Sequence, residues 1–399
     1  HSFPTRRSSD LKLKTGLLRT PCFYADEATM PGTPYYEKGY YFKSLGIARE
    51  GTALGSRNQL NTAFNMFKFP GDQHTRLTAN FDAGRPYEVD VSSLILKTPI
   101  GANKEWRQEL PALLEDTFEL VQSSAHPSFD PVSKEFFTVC FNKDFFNLVI
   151  VRKLDFCLTH HTGIIEVEFK ALLLLVEGLL LNATQILNVL SRFISWINNK
   201  IATNHQDAFT LEHIKDAINN PDPDDLLGMK NEVTLMRWTG EGPIKKWNVL
   251  DGDTGKNILI HQTMHQTNYS KDYILLVDCS LKFALDIMMT NPFPAHPWLD
   301  RLLRQLLSKT LLPYTPFYII KRSDLTDNAQ TVTAKKATVN LETVHFSINY
   351  ENPGNLITIH TAHNTASCAA EWVRPYDFLA IDPDKAVIEN YAGRYAALY

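Results

Sequence analysis

Short apolar runs separated by turn residues recur along most of the chain. Phe136–Phe141 (FFTVCF), Val233–Trp238 (VTLMRW), Tyr273–Val277 (YILLV), 317–322, 341–350 and Leu356–His360 (LITIH) are of strand length and rich in β-branched or aromatic residues. From Gly32 to Asn80 the text is rich in Gly, Asn, Thr and aromatics, and reads as strands joined by tight loops. One stretch departs from this. Phe169–Lys200 is leucine-rich with a helical period, and Thr210–Asn220 forms a second amphipathic pattern before the linker NPDPDD. Residues 169–228 therefore read as a helical insertion in a β scaffold. The insertion's apolar centre, Ala171–Leu181, is shorter than the ~20 residues a bilayer requires, and Glu177 sits inside it, so no membrane span is expected.

The polar segments between strands carry the candidate chemistry. His261–Asp278 reads HQTMHQTNYSKDYILLVD, a histidine-bearing loop feeding the apolar run Tyr273–Val277. The i, i+4 pair His261 and His265 suggests a zinc helix, but the general-base position holds Gln262, and Asn268, Tyr269 and Ser270 oppose a helix. That reading is rejected. Upstream, Ser124-Ala125-His126-Pro127 precedes Asp130; Pro127 holds His126 extended, so its imidazole projects from a constrained loop. Taken by itself, Asp82 is a turn aspartate before Gly84.

Composition narrows the options. With 399 residues, 44% of them hydrophobic, the chain can bury a large core, and a net charge of −4 without a basic tract argues against nucleic acid. Five cysteines (Cys22, Cys140, Cys157, Cys279, Cys368) lack CxxC spacing and read as reduced, buried thiols in a cytoplasmic setting. Residues 1–11, HSFPTRRSSDL, have no apolar signal-peptide core and look like a translated adapter sequence, so the fold is sought in residues 12–399.

Taken together, these segments resemble the carotenoid cleavage oxygenases, non-haem iron enzymes, over roughly residues 33–399. The resemblance rests on Asn58–Phe64, on Asp82 eight residues before Asp90, on Ala125-His126-Pro127 with Asp130, and on His265 eight residues before Tyr273-Ile-Leu-Leu-Val. It implies an incomplete β-propeller (seven-bladed in the family) and Fe(II) held by His126, His265 and His360, with His363 as the alternative to His360. Asp82, where the family has a glutamate, would accept a hydrogen bond from an iron-ligating histidine. Glu371 would match a trailing family glutamate. His160, His161, His296 and His345 are expected to be ordinary surface or core histidines. The 139 residues from His126 to His265 exceed two blades by about the insertion's length, and the 95 from His265 to His360 fit about two blades.

The implied activity is oxidative cleavage of a conjugated C=C bond in a carotenoid or apocarotenoid by O2. Stilbene cleavage and a non-catalytic isoprenoid-binding propeller are the alternatives. A family histidine expected well beyond the third ligand has no counterpart before Tyr399, so the chain is expected to be a fragment with weakened metal binding and activity. The insertion is expected to pack on the propeller or to touch a membrane peripherally.

Overall fold

The computed structural model describes residues 13–106 (46, 47, 52 and 53 apart), 117–143 (119 apart), 232–282 and 312–363. Five short strand pieces, 225–226, 229–230, 367–368, 378–379 and 382–386, are also described. The expected insertion thus lies outside the described residues except for 225–226, as do residues 1–11 and His160, His161, His296 and Glu371. The described structure is mostly strand, and no described helix is long and apolar enough to cross a membrane.

Four up-and-down units follow one another along the chain. The first holds β1 (Ala63–Phe67), β2 (Arg76–Phe81), β3 (Gly84–Val89) and β4 (Leu96–Pro99). The second holds β5 (Ser128–Asp130), β6 (Glu135–Asn142), β7 (Glu232–Trp238) and β8 (Lys245–Asp251). The third holds β9 (Thr267–Tyr269), β10 (Tyr273–Val277), β11 (Thr315–Lys321) and β12 (Thr331–Val339). The fourth begins with β13 (Thr343–Ile348) and β14 (Ile359–His363). Pairing within each unit is antiparallel; the second and third join at their outer edges through one parallel pair, β8 with β12.

Strand alternation explains how these units stack. In β10, Ile274 and Leu276 face a core shared with Phe137, Val139, Leu235 and Trp247 of the second unit. The intervening Leu275 and Val277 face the opposite way, onto Phe317 and Phe346, against the fourth unit. β6 does the same, sending Phe136 and Cys140 toward Phe67 and Ile100 of the first unit. A strand buried on both faces needs a continuous apolar run rather than alternation, which is why YILLV and FFTVCF contain so few polar residues. The units are therefore stacked face to face, each separated from the next by an apolar layer. This is the arrangement of propeller blades.

The first strands of successive units meet side by side. Asn65 of β1 donates to the Pro127 carbonyl at 2.6 Å, and Gln266 forms a parallel bridge with His126. Gln266 also bonds to Phe346 of β13. Among the described residues a single four-stranded unit separates each ligand-bearing segment from the next, so the expected two-blade spacing is corrected. The surplus length falls between the second and third strands of the second and third units, at 143–231 and 278–314. Cys22, Cys140 and Cys279 are free and buried, and burial pushes the Cys140 thiol up to about 12.

Candidate metal centre

The centre is built by backbone bonding between two polar loops. The His126 N–H donates to the His265 carbonyl at 3.1 Å, and the Thr267 N–H donates back to the His126 carbonyl at 3.1 Å. Ser124 Oγ adds a bond to the same His265 carbonyl at 2.9 Å. His126 and His265 each stand two residues before a first strand, β5 and β9, so both imidazoles emerge at corresponding points of adjacent units. Pro127 cannot donate, and its carbonyl is held by Asn65.

A third imidazole arrives from β13. Val344 and Phe346 are buried, and His345 between them points the other way. His345 Nε2 lies 3.1 Å from His265 Nε2 and 3.2 Å from His126 Nε2. The three ligand atoms all lie within 4.8 Å of one another, a group that could hold a metal ion. Two imidazoles at right angles around an ion, each with a bond of about 2.1 Å, would place their nitrogens about 3.0 Å apart, close to both measured edges.

Asp82 orients one member of this group. Its Oδ1 is 2.7 Å from His265 Nδ1, so Nδ1 carries the proton and Nε2 turns its lone pair inward. The β2–β3 turn that carries Asp82 is held by Ser123. Ser123 donates its N–H to the Asp82 carbonyl at 2.8 Å, and its Oγ lies at 3.0 and 2.6 Å from the Phe81 and Gly84 carbonyls. The turn is thus stitched to the segment that carries His126. A Cβ at Gly84 would collide with the Asn58 amide, which itself donates to the Arg85 carbonyl at 2.8 Å. A side chain there would displace that amide.

The electrostatics suit a cation. Burial, with the neighbouring His265 and His345, lowers the His126 pKa to about 4, and burial likewise lowers that of His345. Neutral imidazoles offer lone pairs. With His265 Nε2 able only to accept, a proton on His345 Nε2 can complete one linear edge but not both. A cation at the centre satisfies all three nitrogens at once. Substituting Asp82 with asparagine is expected to weaken metal binding by about 10–100-fold, since the amide no longer anchors the Nδ1 proton with a negative charge. Isothermal titration of the metal-free chain with Co(II) measures this.

The expected third ligand is corrected. The sequence predicts His360 at the end of a strand running from Leu356, but Pro353–Asn355 forms a 3-10 turn with Asn355 at φ 61, and the strand starts only at Ile359. His360 is the second residue of β14, opposite Ser347 and one strand further from the meeting line, is exposed, and contacts Asn349 Oδ1 at 3.3 Å. His363, also exposed, is 2.9 Å from the Glu342 carbonyl and 3.0 Å from Thr361 Oγ1. Neither belongs to the group. His345, expected to be an ordinary histidine, does. The available signal was the alternation Val344-His345-Phe346 in a first strand.

No family model and no curated protein matches the sequence. Among solved structures, a variant of the Synechocystis apocarotenoid oxygenase is similar at a TM-score of 0.31 and 12% identity, over 76% of this chain and 42% of that one. A cobalt-substituted form of the Synechocystis protein matches at TM-score 0.32 and 12% identity, over 83% and 43%. The lignostilbene dioxygenase of Pseudomonas brassicacearum matches at TM-score 0.31 and 9% identity, over 71% and 34%. The chain thus spans less than half of the length of these proteins. Likeness at this level assigns neither a family nor an activity.

Proposed function

We propose that this chain contributes a non-haem iron centre, held by His126, His265 and His345, to an oxygenase that cleaves a conjugated C=C bond of a carotenoid or apocarotenoid. The observation that carries this reading is the convergence of three Nε2 atoms from three adjacent units, one of them oriented by Asp82. The sequence resemblance at Ala125-His126-Pro127, Asp82 and His265–Val277 supports it and supplies the reaction class. Iron(II) held there supplies the redox chemistry toward O2 that none of these side chains possesses.

The residues have separable tasks. Asp82 keeps the proton on His265 Nδ1. Burial keeps His126 unprotonated at neutral pH. Among the described residues, Asp82 is the carboxylate in contact with these ligands. His345 is the exposed member, and an apolar polyene would approach past it. In the overall reaction one C=C bond and O2 become two C=O groups, and each product keeps one oxygen atom.

The test is aerobic incubation of the iron-reconstituted chain with an apocarotenal under ¹⁸O2. Two shorter carbonyl products, each labelled once, are expected. Failure of the chain to take up iron would overturn the reading, as would uptake without cleavage.

A further inference from the structure

Resting on that reading, we infer that Gln266 is the positioning residue that sets His345 against the other two ligands. The structural reason is a gap in the backbone bonding. β9 and β13 belong to different sheets and form no ladder with one another. β13 is tied near its ends by backbone bonds, from the Ser280 N–H to the Thr343 carbonyl at 2.8 Å and from the Lys271 N–H to the Tyr350 carbonyl at 2.8 Å. Between these points, beside His345, the shortest connection is made by the Gln266 side chain. Gln266 Nε2 donates to the Phe346 carbonyl at 2.8 Å, and the Phe346 N–H donates to Gln266 Oε1 at 3.0 Å.

This amide reproduces the paired N–H and C=O exchange of an antiparallel ladder. Two bonds to one residue fix both its position and its rotation, which a single contact would not do. Phe346 is anchored on its other face in the apolar layer against Phe317, with ring centroids 5.1 Å apart. The backbone of Gln266 is meanwhile bridged to His126, and His265 is its neighbour in the chain. All three imidazoles are thereby referred to residues 265–267. Asn268 Nδ2 reaches the same Phe346 carbonyl only at 3.5 Å, so it is a weaker second donor.

The experiment compares Gln266→Met and Gln266→Ala with the unaltered chain, titrating each metal-free protein with Co(II). The visible d–d spectrum is followed, and thermal melting is recorded without metal. Gln266→Met nearly preserves side-chain length and apolar contact while removing both hydrogen bonds. It is expected to lose roughly 10-fold or more in Co(II) affinity, as orienting partners of metal ligands typically do, with a changed spectrum. Gln266→Ala should lose at least as much. Gln266→Glu, which still accepts from the Phe346 N–H but cannot donate when ionised, should fall between Gln266→Met and the unaltered chain at neutral pH. Unchanged Co(II) affinity and spectrum in Gln266→Met, with only the metal-free melting temperature lowered, would overturn the positioning role and leave the metal centre standing. Failure of the unaltered chain to bind Co(II) would overturn both.

Discussion

Replacing His345 with alanine is expected to lower metal affinity by at least about 100-fold, while His360→Ala leaves it unchanged. Loss of an orienting partner alone typically costs about 10–100-fold, so loss of a ligand from a three-imidazole set must cost at least that much. The substitution removes the Nε2 that lies 3.1 and 3.2 Å from the other two, leaving a two-imidazole site. His345 is exposed, so the change should cost the metal-free fold only roughly 0.5 kcal/mol, and reduced affinity would not reflect unfolding. His360 is likewise exposed and bonds only locally, to Asn349. Co(II) titration of both variants decides the matter. Equal losses, or a loss confined to His360→Ala, would return the third position to β14.

The second large effect is expected at Arg322. The Asp130 carboxylate is fully buried in the β5–β6 turn, accepting from the Val132 N–H at 2.8 Å and Ser133 Oγ at 3.0 Å. Arg322 completes its partners with an ion pair at 2.5 Å and also reaches Glu135 at 2.7 Å and the Ser270 carbonyl at 3.1 Å. Its guanidinium lies over the Phe137 ring, 5.5 Å from the centroid. Arg322→Met keeps the apolar stem but strands a buried charge, and should cost about 3–5 kcal/mol at neutral pH by urea unfolding.

The pH dependence provides an internal check. Burial by itself would raise the Asp130 pKa, but the Arg322, Val132 and Ser133 bonds outweigh it and hold the carboxyl below its usual 3.8. A depressed native value stabilises the fold above the unfolded pKa, and that contribution is lost as pH falls through the native one. Arg322→Met removes the bond that lowers the value, so its deficit should narrow in acid as Asp130 protonates in both proteins. A deficit constant from pH 7 to pH 3 would mean that lost packing, not the stranded charge, is responsible.

Much of the architecture was legible locally because strand pairing writes itself into alternation and run length. YILLV and FFTVCF signal strands buried on two faces, and these are the strands that lie between apolar layers. Pro127 constrains His126 whatever the rest of the chain does. The rejection of a helix over HQTMH also follows from local residues, and 261–266 is not helical.

What the sequence by itself determined, then, was the all-β character, the strands, and two loops able to project His126 and His265. Which third histidine joins them was decided only by tertiary structure. His345, His360 and His363 all lie on one hairpin, within 18 residues of one another in sequence (363 − 345 = 18). Facing the centre depends on a strand's rank in its unit, not on its composition. β13 is a first strand, held against β9 by Gln266 some 80 residues upstream of it; β14 is a second strand, and pairing places His360 opposite Ser347, one strand further out. The Asp82 contact has the same origin. An aspartate before a glycine is a turn in any sequence, and only Ser123, 41 residues later, brings that turn within 2.7 Å of His265. Local propensity chooses the element, but long-range hydrogen bonds choose its neighbours, and the centre is made of neighbours.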